Sequence, residues 1–157
     1  MKRIAIMLLA VTMACESDDP TSEKSASDYI VFGRYYGMCS GDRCVQFYKL
    51  TDASIYEDTK DKYPMSSQAY EGDYVLLDNS QFEKVKTLRD EIPDELFDIT
   101  ETVIGEPDAG DWGGLYFEME HHGKRQFWFI DLMKSNVPEN LRPFVDTING
   151  KVELLND

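Results

Sequence analysis

The stretch Leu115-Tyr116-Phe117-Glu118-Met119-Glu120-His121-His122-Gly123-Lys124-Arg125-Gln126-Phe127-Trp128-Phe129-Ile130-Asp131-Leu132 reads as two strands folded back on each other. Aromatic and β-branched residues fill both arms, and Gly123 stands where a tight turn needs it. Successive strand side chains point to opposite faces. With the turn at Gly123, odd positions of the first arm share a face with even positions of the second. One face is then Leu115, Phe117, Met119, Trp128, Ile130 and Leu132, entirely apolar, and is predicted to be core. The other is Tyr116, Glu118, Glu120, Phe127, Phe129 and Asp131. That mixed face is expected to be partly wet, or covered at one end by a helix.

Upstream, residues 29–38 (YIVFGRYYGM) and 44–50 (CVQFYKL) have the same composition and flank the turn residues Ser40-Gly41-Asp42-Arg43, which predicts another hairpin. Residues 53–56 and 74–77 are read as short strands, with a charged loop from residue 57 to 63 after the first. Ser80-Gln81-Phe82-Glu83 has the form of a capping box opening a helix, with Phe82, Val85, Leu88 and Ile92 as its apolar stripe and Pro93 as its stop. Residues 99–104 are a further candidate strand. Downstream, Leu141, Phe144, Val145, Ile148, Val152 and Leu155 form a wide stripe on one helical face. Pro138 suits a first turn, Pro143 marks the start of regular helix or a bend, and Gly150 weakens the expectation that the helix runs unbroken to Leu155. The predicted fold is α+β: an antiparallel sheet built from two β-hairpins, with two amphipathic helices packed on it.

The N-terminus has a different character. Lys2 and Arg3 precede the apolar run IAIMLLAV (residues 4–11), then Thr12-Met13-Ala14 leads into Cys15. These are the parts of a secretory signal. The expected organisation is a leader over residues 1–14, a tether over 15–28 and one α+β domain over 29–157. The tether, Glu16-Ser17-Asp18-Asp19-Pro20 onward, holds no large apolar residue and reads as flexible chain. The whole chain of 157 residues carries a net charge of −14, and loss of Lys2 and Arg3 with the leader takes it to −16. Such a balance argues against nucleic acid or anionic lipid headgroups as partners.

Of the three cysteines, removing Cys15 leaves Cys39 and Cys44. An even remainder in an exported chain implies a disulfide, here across a hairpin tip. Two thiolates alone do not complete a zinc site, and the spacing is not that of a C-x-x-C redox pair.

Few residues suggest other chemistry. His121 and His122 are the only histidines, and strand neighbours diverge, so one metal is within reach of both only if the turn distorts them. Asp108 and Asp111, in the Gly-rich run Pro107-Asp108-Ala109-Gly110-Asp111-Trp112-Gly113-Gly114, are weak candidates for a calcium site and equally the residues of a demanding turn. No other cofactor is expected. Serine–histidine catalysis lacks a G-x-S-x-G elbow. Trp112, Tyr116, Phe127 and Phe129 are the candidate ligand-binding residues, an aromatic patch centred on Trp112 and the mixed face.

The leader ending in Ala14-Cys15 resembles the lipobox of bacterial lipoproteins, although Thr12 and Met13 stand where Leu or Val and Ser or Ala are usual. The Ser17-Asp18-Asp19 cluster resembles the export signal of Bacteroidota surface lipoproteins. Together with the α+β body they look like a small lipoprotein of that group. The resemblance implies acylation at Cys15, with two or more chains for stable anchoring, and display at the outer membrane. The alternative is ordinary cleavage that leaves Cys15 unmodified. The expected activity is a non-catalytic binding or envelope accessory module with a protein or glycan ligand. One alternative is a small calcium- or carboxylate-dependent hydrolase of extracellular glycans, using Asp108, Asp111, Glu118 or Glu120 as acid and base. Another is an inhibitor-like protein that presents the Cys39–Cys44 loop with Arg43 exposed.

Overall fold

A computed structural model describes residues 28–41 and 43–157. The leader, most of the tether, Cys15 and Asp42 lie outside the described residues. The chain forms a seven-stranded sheet in the order β4-β3-β2-β1-β6-β7-β5. The strands are β1 (Tyr29–Tyr35), β2 (Val45–Leu50), β3 (Ile55–Asp58), β4 (Tyr74–Leu76), β5 (Val103–Ile104), β6 (Gly114–His121) and β7 (Lys124–Asp131). All pairings are antiparallel except β5 beside β7. Among the described residues two α-helices complete it, α1 (Asn79–Val85) and α2 (Arg142–Asn156). The α+β expectation holds, with more strands than two hairpins supply.

The sheet buries both faces. On one, Ile30, Phe32, Leu50, Leu115, Phe117, Trp128 and Ile130 meet the helices, and Met119 and Leu132 pack against that core. The apolar face predicted from parity is therefore the helix-side core. α2 lays Phe144, Val145, Ile148, Val152 and Leu155 into it, and Leu141, just before the helix, is buried with them. Gly150 does not interrupt α2, and Pro143 occupies its first turn, where a missing N–H has no intrahelical partner to lose.

The middle helix differs from its prediction. Asp78 caps it, accepting from the Gln81 amide at 3.1 Å, while Ser80 donates its hydroxyl to Asp78 and Glu83 pairs with Lys86 at 2.6 Å. The Ser80–Glu83 capping box is not formed. Regular α-helix ends at Val85 and continues as a 3-10 turn over Lys86–Glu91. That tighter winding keeps Val85 and Leu88, three apart, both buried. The strand expected over residues 99–104 shrinks to Val103–Ile104.

The second face is covered by a loop and not by a helix. Residues 59–73 leave β3 and return to β4 with their ends joined, since Thr59 donates its amide to the Asp73 carbonyl at 2.8 Å. This is a compact Ω-loop. It seats Tyr70 against Phe47 and Tyr116, with ring centroids 4.7 and 6.1 Å apart. Val31, Tyr35, Val45 and Phe129 complete this smaller core. Gly33 in β1 leaves space that the Phe47 ring fills, and an added Cβ would lie 1.9 Å from the Gln46 carbonyl oxygen.

Candidate functional site

The polar residues of the mixed face hold the Ω-loop down. Glu118 has a fully buried side chain. It accepts from Arg125 Nε at 2.6 Å and Nη2 at 3.0 Å, from the Tyr29 hydroxyl at 3.1 Å, and from the Tyr116 hydroxyl. Arg125 also donates to the Tyr70 carbonyl at 2.7 Å and to Glu71 at 2.6 Å, so one guanidinium joins the sheet to the loop. At the loop's other end the buried Asp58 accepts from the Tyr70 hydroxyl at 2.6 Å and from the Asp73 amide at 2.7 Å. The Tyr116 hydroxyl, in turn, accepts from the Tyr70 amide at 2.8 Å. Burial, reinforced by Glu118, pushes the Tyr116 phenol well above its ordinary value.

Beside this clamp lies a cleft of about 470 Å³ between the Ω-loop and residues 105–113. Tyr35, Phe129, Tyr63, Pro64, Pro107 and Asp108 are among its lining. Tyr35 forms the base, edge-on to Tyr63 at 5.3 Å and to Phe129 at 5.9 Å. The Tyr63 hydroxyl donates to Asp108 Oδ2 at 2.8 Å, bridging the two loops. Burial and that carboxylate push the Tyr63 phenol up to about 12.

The 105–113 loop is shaped by its aspartates. Asp108 and Asp111 both have positive φ, 60° and 65°. Asp108 Oδ1 accepts from the Gly113 amide at 2.9 Å, and its own amide donates to the Gly113 carbonyl at 2.8 Å. Both carboxylate oxygens of Asp108 thus serve protein donors, which is the work of a demanding turn. Asp131, buried at the end of β7, ties the loop's base by accepting from the Glu106 amide at 2.9 Å and from Asn136 at 2.8 Å.

The four candidate aromatics fall in different places. Trp112 is 65% exposed on the 105–113 loop, its indole against Gly110. Tyr116 and Phe129 are 0% and 1% exposed. Tyr116 is a core residue, and Phe129 reaches the surface only as part of the cleft wall. Phe127 is half-buried beside Tyr116. The aromatic patch centred on Trp112 and the mixed face is therefore corrected: the Ω-loop covers that face, and of the four candidates only Trp112 is exposed, with Tyr63 the exposed aromatic of the cleft lining. Tyr63 carried no pattern of its own in the sequence and gave no signal.

Of the carboxylates considered for hydrolysis, Glu118 is enclosed by Arg125 and two phenols, and Asp108 is tied as described. Cys39 and Cys44 are disulfide-bonded, with Cα atoms 5.5 Å apart. The Cys44 carbonyl accepts from the Tyr36 amide at 2.8 Å, so the bond closes the β1–β2 hairpin tip. Met38, next to it, is 80% exposed. Among the described residues no helix is long and apolar enough to cross a membrane. Compared with family models, curated proteins and solved structures, the chain gives no match.

Proposed function

We propose that this protein is an outer-membrane lipoprotein, anchored through Cys15, that acts as a non-catalytic binding module for neutral glycans. Its ligand seat is the cleft between the Ω-loop and residues 105–113, with Trp112 as an exposed aromatic platform on the same loop. The observation that carries this reading is the composition of that cleft. Aromatic walls from Tyr35, Tyr63 and Phe129 stand beside the polar groups of Asp108, Glu106 and Ser66 in a volume of about 470 Å³. Small-ligand sites combine apolar and aromatic walls with a few polar groups that fix orientation. A sugar ring offers an apolar face for the aromatics and hydroxyls for the carboxylates.

Charge narrows the ligand class. Glu106 and Asp108 line the cleft and Asp111 follows on the same loop. With the chain at −14 overall, anionic ligands meet a repulsive field. The leader and the acidic tether support the address. The bonds that occupy Glu118 and Asp108 favour binding over catalysis.

Calorimetric titration with neutral oligosaccharides tests the reading. Loss of one stacked aromatic costs about 1 kcal/mol, so Trp112→Ala should weaken binding between fivefold and tenfold, roughly. Wild-type affinity in both Trp112→Ala and Tyr63→Ala would remove the cleft as the seat.

A further inference from the structure

At the far end of the β6–β7 hairpin, away from the cleft loops, the chain brings its two histidines and an aspartate together. In the pairing of β1 with β6, Tyr29 lies opposite Glu120. Asp28, one residue earlier, therefore reaches the hairpin turn. The turn is His122-Gly123, with φ of 50° and 74°, the double positive pair of a type I′ hairpin. In an extended strand the side chains of His121 and His122 would diverge. The left-handed backbone at His122 swings its ring back onto that of His121, centroids 3.9 Å apart and planes within 22°. Asp28 fixes both: its Oδ1 accepts from the His122 amide at 3.0 Å, and its Oδ2 lies 2.6 Å from His121 Nδ1.

The geometry points to a binding site for a divalent transition-metal ion held by Asp28, His121 and His122. One ligand atom from each of the three lies within 4.8 Å of the others, and an ion about 2 Å from each would draw them to within about 4 Å. Two imidazoles with one carboxylate suit zinc, nickel or copper. Calcium and magnesium want six or more oxygens, or several retained waters. Three protein ligands leave a coordination position open to water or to a group from outside. His121 is exposed and Asp28 is only partly so, which gives the ion direct access. The bound ion would join the point where the tether enters the fold to the tip of the longest hairpin.

The full chain, stripped with a chelator, is titrated with Zn²⁺ or Ni²⁺ by calorimetry. Proton NMR of the two imidazoles is followed in parallel. The expected result is one ion per chain, with both imidazole signals shifting together. Affinity should fall at least tenfold, roughly, in each of His121→Ala, His122→Ala and Asp28→Asn. Ca²⁺ should shift neither signal. Both histidines are exposed, so circular dichroism of the metal-free variants should match wild type and separate loss of ligand from loss of fold. Wild-type affinity in the His121→Ala/His122→Ala double variant would overturn the assignment, since the metal would then sit elsewhere. Failure of wild type to bind at concentrations of about 1 mM, a level at which even weak sites fill, would overturn it as well.

Discussion

Replacing Arg125 with leucine tests how the second face of the sheet is held. The guanidinium supplies two of the donors to Glu118, at 2.6 and 3.0 Å, and the Glu118 side chain is fully buried. Removing it leaves a buried carboxylate with the Tyr29 and Tyr116 hydroxyls only, and strips the Tyr70 carbonyl of its donor. Breaking a buried pair from one side costs about 3–5 kcal/mol. The Arg125 side chain is 30% exposed, so water replaces part of its role and the lower end, about 3 kcal/mol, applies. Urea unfolding followed by tryptophan fluorescence measures the loss. The double variant Glu118→Leu/Arg125→Leu should be less destabilised than Arg125→Leu alone, because no charge is left behind. A loss below about 1 kcal/mol, the range of an exposed ion pair, would refute the clamp.

Three further outcomes can be checked, two from the structure and one from the proposed lipid anchor. The double variant Cys39→Ser/Cys44→Ser should lose about 2 kcal/mol in denaturant melts, the loop-closure entropy of so short a ring, and no loss would mean that the bond constrains nothing. At high pH the buried phenols should ionise only with unfolding. Burial, with Glu57, Asp58 and Glu118 adding to it, raises Tyr48, Tyr70 and Tyr116, and Tyr48 reaches about 12. The neutral form is the folded one, so their contribution is complete below the unfolded value of about 10 and is lost as pH rises through the folded values. Spectrophotometric titration in parallel with circular dichroism checks this, and smooth ionisation near pH 10 without loss of structure would contradict it. Protease shaving of intact cells should remove the folded domain, and Cys15→Ser should release it from the membrane fraction. Degradation only after lysis would place the protein inside the envelope.

The helix-side core was legible because its signals are local and periodic. The stripe from Leu141 to Leu155 needs only a 3.6-residue repeat, and the apolar face of β6 and β7 needs only alternation about a turn. The Cys39–Cys44 bond followed from parity of count. The Ω-loop was not legible because no periodicity marks residues 59–73. It is held by single polar contacts to residues far along the chain, such as Arg125 to the Tyr70 carbonyl. Without that cover, Tyr116 and Phe129 read as surface candidates, although their burial completes a second core. The stacking of the two histidine rings was not legible for a related reason. Alternation describes an extended backbone, and His122 leaves it for a left-handed conformation. The capping box failed because Asp78, two residues earlier, offers a carboxylate to the same helix start.

The contrast between one exposed indole and one buried indole supplies the most direct test of the binding reading. Trp112 is 65% exposed on the 105–113 loop, whereas Trp128 is 2% exposed in the helix-side core. In a titration with neutral oligosaccharides, the Trp112 indole N–H resonance should shift progressively, with the amides of Tyr63, Asp108 and Ala109, while the Trp128 indole stays fixed. Binding that leaves Trp112 and those amides unmoved, or no response to any neutral glycan at concentrations of about 1 mM, would contradict the account.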